Sequence, residues 1–323
     1  MAKHIPQSLL ERAAELYDFG AAIRAPAPAA APEPQPAPVA EPAPVAEAPA
    51  PAPAAVPPAP VDRVARADHV AAGRQRPSAN AVAEIDCAAL AETGFIVPGG
   101  PVTGLAEEFR LIKHQLLADI EGRRDVADDR LRSVLICSAQ PRSGKTFCAI
   151  NLALSLAGEK DVEVLLVDGD FIKPDALAIL GIESGPGFVD ALADGGDPES
   201  CVIRTDLPGL SVLPAGRKAN NVPELLASDR TREVLAKLVA GDRRRIILFD
   251  SPPALMASHA TVLAGHVGQA LVVVRADQTT EADLRETLGL LKGCDHVSLI
   301  LNGAGVAVTG RKFGAYDGYG HEA

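Results

Sequence analysis

Residues 138–146 read SAQPRSGKT, and the Gly-Lys-Thr that closes this run is the chemistry of a phosphate-binding loop. Such a loop needs a glycine that lets backbone amides approach phosphate oxygens, a lysine that reaches the outer phosphates, and a hydroxyl that ligates Mg2+. Gly144, Lys145 and Thr146 supply these in order. The match to G-x-x-x-x-G-K-S/T is incomplete, because Ala139 stands where the pattern opens with glycine; Pro141 can shape the loop instead. Context supports the site: an apolar run precedes the loop and a helical pattern follows it, so a helix N-terminus offers free N–H groups and a positive dipole end. Pro141, Arg142, Ser143, Gly144, Lys145, Thr146 and Phe147 are the candidate nucleotide-contacting residues.

Magnesium between phosphates needs further oxygen ligands, and carboxylates appear where apolar runs end: Asp168 and Asp170 in VLLVDGDFIKP, and Asp250 in IILFDSPP. Any one aspartate at a strand end can merely cap the next turn. Three of them together with a phosphate loop point to a nucleotide site. Asp250 is the candidate metal-associated carboxylate, with Asp170 and Thr146 supporting the metal shell, and Asp168 is placed to accept a hydroxyl proton. The implied cofactors are ATP and Mg2+. Asn302 at the end of the last apolar run can either read an adenine edge or form a turn before Gly303.

These residues need a scaffold that delivers them to one place. Apolar runs at 133–137, 162–168, 210–213, 245–250, 270–275 and 297–302 alternate with helical patterns at 104–120, 145–158, 188–193, 222–240 and 280–292. Val-, Ile- and Leu-rich runs without internal polar alternation predict a mostly parallel sheet covered on both faces, a three-layer α/β domain. Ligands in such sheets bind outside the carboxyl ends of the strands, where the loop and all three aspartates fall.

Composition narrows the rest. Of 27 Pro, most lie in one Ala/Pro block, which favours extended conformers and buries nothing. The chain divides into a short amphipathic helix (1–24), an Ala/Pro-rich and polar disordered linker (25–84), the nucleotide-binding domain (85–305) and a flexible tail (306–323). The helix either docks on a partner or folds back on the domain. With 31 basic against 42 acidic residues and a net charge of −11, nucleic acid is not an expected partner; the tight run Arg243 to Arg245 reads as the solvated start of a strand. The five Cys show neither C-x-x-C pairing nor zinc spacing, as expected of reduced thiols in a cytoplasmic protein. No run approaches the roughly 20 apolar residues of a membrane span, and the N-terminus lacks the apolar core of a signal peptide.

The ordered set SAQPRSGKT, VLLVDGDFIKP, LPAGRKANNVPELLAS and ILFDSPP resembles the bacterial tyrosine autokinases of exopolysaccharide synthesis and export, in particular the branch linked to exosortase loci. The resemblance covers residues 85–323, and MAKHIPQSLLERA with its low-complexity spacer is similar to the N-terminal layout of that branch. It implies a P-loop fold, phosphate-loop roles for Lys145 and Thr146, second-motif roles for Asp168 and Asp170, and a magnesium-site role for Asp250. AEEFRLIKHQLL is similar to the family helix E-x-x-R-x-x-R, with Glu107, Arg110 and Lys113 in its three positions. That helix implies a homo-oligomeric ring in which each subunit phosphorylates a neighbour's tail. Of three Tyr in the chain, Tyr316 and Tyr319 lie in KFGAYDGYGHEA and are the expected phosphoacceptors. A separate membrane protein of chain-length control or export is the implied activator, recruiting the kinase to the inner face of the cell membrane.

The chain also departs from that pattern. Arg142 and Ser143 replace a common Gly-Glu pair, Ile172 replaces a basic residue next to Lys173, Lys113 replaces arginine, and the tail tyrosines are few. Two other readings follow. A nucleotide-binding scaffold without transfer would fit the altered loop. A positioning ATPase shares the fold, but those relatives carry a second lysine where Gln140 stands.

Overall fold

The computed structural model of the chain describes residues 82–123, 126–242 and 244–304. The helix expected in 1–24, the linker up to residue 81, Arg243 and the tail with Tyr316 and Tyr319 lie outside the described residues. Strands are β1 Val82–Ala83, β2 Ser133–Ser138, β3 Glu163–Asp168, β4 Ile203–Thr205, β5 Leu210–Leu213, β6 Arg245–Asp250, β7 Gln269–Arg275 and β8 Val297–Asn302. Helices are α1 Cys87–Glu92, α2 Gly104–Gly122, α3 Asp128–Leu131, α4 Lys145–Ala157, α5 Ala176–Ile179, α6 Phe188–Asp194, α7 Val222–Ala227, α8 Asp229–Gly241, α9 His259–Ala264 and α10 Glu281–Leu290.

Among the described residues the strands form one sheet in the order β1-β4-β5-β3-β6-β2-β7-β8. Every neighbouring pair is parallel except β4 with β5. Successive residues alternate between two cores, as the two-residue period of a strand requires. On one face Val134, Ile136, Val164, Leu166, Ile246 and Leu248 meet helices including α2 and α4. On the other, Leu135, Cys137, Leu165, Val167, Ile247 and Phe249 meet helices that include α7 and α8. Because both faces are covered, nearly every position of the central strands is apolar. Each fully buried Leu or Ile there contributes about 1.5–3 kcal/mol of transfer free energy.

The expected α/β architecture is present, with local differences. Val82 and Ala83, assigned to the linker by composition, pair in parallel with Arg204 and Thr205, so the sheet starts before Ile85. The helix expected over 222–240 is two helices, because Ser228 is extended (ψ 158°) and its hydroxyl donates to the Leu225 carbonyl. Strand β4 is only three residues long, too short for a period to register. Asp86 caps the short α1, accepting from the Ala88 and Ala89 amides at 3.0 Å. No described helix is long and apolar enough to cross a membrane.

Two contacts fix α2 and the segment before it to α4. The buried Asn151 accepts from the Ile96 amide at 2.8 Å and donates to the Phe147 carbonyl at 2.9 Å. Phe147 packs between Phe95 and Phe109, at ring distances of 5.0 and 6.4 Å. At the other end of α4, Lys113 is buried and pairs with Glu159 at 2.6 Å, with a longer contact to the Ser155 carbonyl at 3.3 Å. A cation there also meets the negative end of the α4 dipole. The hydrogen bond from Lys113 is the main cause holding the Glu159 carboxyl below its usual range, against the opposing effect of burial.

Lys113→Met should therefore destabilise the protein at neutral pH, by about 1–2 kcal/mol after allowance for the exposure of Glu159. A carboxyl whose pKa is depressed on folding stabilises above its unfolded value and loses that contribution as pH falls through the folded value. The gap between wild type and variant in urea denaturation should accordingly close below about pH 4; a gap independent of pH would contradict the ion pair.

Candidate nucleotide site

The strand register gathers the site. Asp168 and Asp250 are direct partners at the carboxyl ends of β3 and β6, and Asp250 also pairs with Ile136 of β2. Counting alternately from Val164, Ile246 and Val134 puts Asp168, Asp250 and Ser138 on the face that carries α4. Lys145 and Thr146 begin that helix. The phosphate loop and the two strand-end carboxylates thus converge on one side of one end of the sheet.

The loop itself resolves the irregular motif. Ala139 is fully buried, has no positive φ, and its carbonyl accepts from the Leu255 amide at 3.3 Å, so nothing at that position demands glycine. The left-handed residues are Arg142 (φ 62°) and Gly144 (φ 89°). For arginine that conformation costs about 1–2 kcal/mol. Pro141 and Arg142 are exposed, Ser143 and Lys145 are buried, and Gly144 and Thr146 are half-buried. The hydroxyls of Ser138 and Ser143 both donate to the Gln140 carbonyl at 2.8 Å. Phe147 is directed into the cluster with Phe95 and Phe109, which leaves its backbone amide, and not its ring, as the group available to a ligand.

Asp168 and Asp250 are almost wholly buried. One Asp168 oxygen accepts from the Ala176 amide at 3.2 Å; its Oδ1 and both oxygens of Asp250 lack a partner at full hydrogen-bond geometry, with the Asp170 amide near the first and the Thr146 hydroxyl near the second carboxyl. Burial pushes both carboxyls up to about 7. Repulsion from Asp250 adds to the rise at Asp168, while the Thr146 hydroxyl and the Lys145 ammonium partly oppose it at Asp250. Asp170 is less buried and has one oxygen engaged by the Lys173 amide at 3.0 Å, so the turn-capping reading holds for part of its side chain. Lys173 itself pairs with Asp175 at 2.8 Å.

Buried carboxylate oxygens without partners are what a divalent cation satisfies. No group of three or more His, Cys, Asp or Glu among the described residues forms a metal cage by itself. That fits Mg2+, which usually takes one or two carboxylates and completes its shell with phosphate and water. Asp250 and the neighbouring Thr146 hydroxyl are the groups positioned to contribute.

Some site features had weak sequence signals. Gly169 is obligatory between the two aspartates, because a Cβ there would stand 2.8 Å from the Asp250 carbonyl oxygen; the D-G-D spacing was its only trace. His259 packs on Phe171 at 5.7 Å. Its Nδ1 is buried without a partner, and burial holds the imidazole low against the pull of Asp170. Of the proposed interface residues, Glu107 and Arg110 pair with each other on α2, whereas Lys113 turns inward to α4. The structure therefore does not bring Lys113 to a common surface with the other two.

No protein-family model matches the chain. It is 30% identical over 233 residues to the tyrosine-protein kinase Wzc of Salmonella typhimurium, covering 71% of this chain and 30% of the relative. It is 34% identical over 185 residues to the putative tyrosine-protein kinase EpsB of Ralstonia nicotianae, covering 57% and 23%. YwqD of Bacillus subtilis, a tyrosine-protein kinase, is 28% identical over 194 residues, covering 60% of this chain and 78% of the relative. The chain thus spans less than a third of the length of the first two. Among solved structures, the BceF tyrosine kinase domain aligns with a TM-score of 0.50 at 26% identity over 60% of this chain and 76% of that one. The chimerical protein CapA2B2 shares the fold, with a TM-score of 0.55 at 24% identity over 68% and 92%.

The raised carboxyls give a test of the site without ligand. A group whose folded pKa is raised stabilises below its unfolded pKa, and that stability is lost as pH rises through the folded value. Asp250→Asn removes a carboxyl whose burial costs stability increasingly from about pH 4, where the unfolded chain ionises, up to about pH 7. The variant's gain in melting temperature over wild type should be smallest at about pH 4, grow up to about pH 7 and level off above it; parallel melting curves across that range would contradict the buried, unpaired state of Asp250.

Proposed function

We propose that this chain, a homologue of the bacterial tyrosine-protein kinases, transfers the γ-phosphoryl group of ATP to tyrosine, first to Tyr316 and Tyr319 of its own C-terminal segment. The observation that carries the reading is the buried, partner-deficient pair Asp168 and Asp250 on the sheet face from which Lys145 and Thr146 start α4.

Each residue has a defined task in that chemistry. Backbone amides from Arg142 to Phe147 surround the phosphates, and Lys145 offsets charge on the outer ones. Asp250 and Thr146 would hold Mg2+, which would supply charge neutralisation of the phosphate oxygens. Asp168, through its Oδ1, takes the phenolic proton as the tyrosine oxygen bonds to the γ-phosphorus and the bond to the bridging oxygen breaks, releasing ADP. A carboxyl near 7 suits a base that works at neutral pH. Asp170, fixed by its turn, supports the metal shell.

In the wider proposal the kinase acts within a homo-oligomer, in trans, and regulates exopolysaccharide polymerisation or export. A separate membrane protein activates it at the inner face of the cell membrane, and the chain belongs to the exosortase-linked branch. With Lys113 turned inward, Glu107 and Arg110 are the members of the three-residue motif left to serve such an oligomer. A second reading, a nucleotide-binding scaffold, draws support from Arg142, whose left-handed backbone places strain and a cation in the loop.

Incubation with Mg·ATP, with and without a peptide from the cytoplasmic segment of a candidate membrane partner, separates the two. Phosphate should map to Tyr316 or Tyr319 by mass spectrometry, vanish in Lys145→Met, and be absent from the Tyr316→Phe/Tyr319→Phe double variant. Protein that binds ATP yet stays unmodified under both conditions would overturn the kinase reading in favour of the scaffold.

A further inference from the structure

We propose that Asn302 is a positioning residue that, together with the Gln140–Asp283 hydrogen bond, holds the phosphate loop in its ligand-ready shape before nucleotide arrives. The inference rests on the nucleotide-binding part of the proposed function and not on phosphoryl transfer.

The side-chain amide of Asn302, at the end of β8, donates to the Ser143 carbonyl at 2.9 Å. It also lies directly over Gly144, where an added Cβ would fall 2.1 Å from Nδ2. In a trans peptide the N–H points opposite to the C=O. Holding the Ser143 carbonyl toward Asn302 therefore aims the Gly144 N–H away from β8, and a loop amide with a fixed direction is what phosphate binding needs. With one Nδ2 hydrogen committed to the loop, Asn302 keeps its second N–H and its carbonyl oxygen for an adenine edge.

A second restraint acts on the first half of the loop. Gln140 Nε2 donates to Asp283 Oδ2 at 3.0 Å, and the same Asp283 oxygen accepts from the Thr280 amide and hydroxyl at the start of α10. Inside the loop, the Ser143 hydroxyl ties back to the Gln140 carbonyl. Both external restraints come from the unit β7–α10–β8, beside the strand that feeds the loop. Between the two anchor points sits Arg142 with φ 62°, a conformation L side chains disfavour and one that outside restraint can maintain. Fixing the loop before binding removes an ordering cost from the binding step.

The test compares Asn302→Ala, Asn302→Asp and Gln140→Ala with wild type. Readouts are hydrogen exchange of amides 140–146 without ligand, the Kd for Mg·ADP, and the melting temperature. Asn302→Ala should speed exchange in the loop and weaken ADP about threefold to tenfold, the equivalent of one lost neutral hydrogen bond, with little change in melting temperature. Asn302→Asp keeps the size and loses the donor at neutral pH, so its loop exchange should match that of Asn302→Ala. Gln140→Ala should shift exchange and affinity in the same direction. Unchanged exchange and affinity in Asn302→Ala would overturn the proposal, and wild-type exchange in Asn302→Asp would assign the residue to packing instead. Faster exchange throughout the sheet with a matching fall in melting temperature would also overturn it. If wild type binds no ADP, the nucleotide reading fails, while the exchange comparison still decides the restraint.

Discussion

Two carboxyl groups sit side by side at the ends of adjacent parallel strands, nearly without solvent and with three of their four oxygens lacking a partner at full hydrogen-bond geometry. In a closed hydrophobic domain such a pair is a liability: each charge resists burial, and each raises the cost of ionising the other. The sheet keeps them there because their neighbours leave no alternative. Val167 and Phe249 are locked into the opposite core, and a one-residue slip of either strand would turn every side chain over. Gly169 then lets the chain pass the Asp250 carbonyl where any side chain would collide.

The groups that offset charge at the pair, an ammonium and a hydroxyl, are placed by the same sheet. Lys145 and Thr146 come from α4, whose first turn is pinned by Asn151 and by the Phe95, Phe147 and Phe109 cluster. Its far end is held by Lys113 and Glu159. The loop between β2 and α4 is restrained from the other side by Asn302 and by Gln140 with Asp283. The site thus draws on elements on both sides of β2 in the sheet order, with the phosphate loop between them. Buried carboxyls short of partners, with rigid supports around them, are the arrangement that the proposed nucleotide chemistry would use.

Much of this was legible in the sequence. Continuous apolar runs announced a sheet buried on both faces, and the aspartates at the ends of two of them lie beside the start of α4 as expected. What escaped had physical reasons. Strands β1 and β4 are two and three residues long, below the length at which alternation can be read. The Ser228-Asp229 pair, where one expected helix breaks into two, is a helix-start signal that the surrounding helical pattern masked. The glycine missing at Ala139 looked like a defect because the motif is written as letters; in space the left-handed positions are Arg142 and Gly144. Lys113 matched an interface motif by spacing, yet a residue six positions from Glu107 has rotated about a third of a turn round the helix, which brings it to α4.

Proton release on binding tests the central pair most directly. Titration calorimetry of Mg·ADP in buffers of different ionisation enthalpy reports the protons exchanged. If Asp168 and Asp250 sit half-protonated near neutrality and ionise when the cation arrives, binding at pH 7 should release on the order of one proton, more at pH 6 and almost none at pH 9. Binding without proton release at pH 6 and pH 7 would mean that the carboxyls are already ionised in the free protein, and would contradict the account of a buried, unsatisfied pair awaiting its metal.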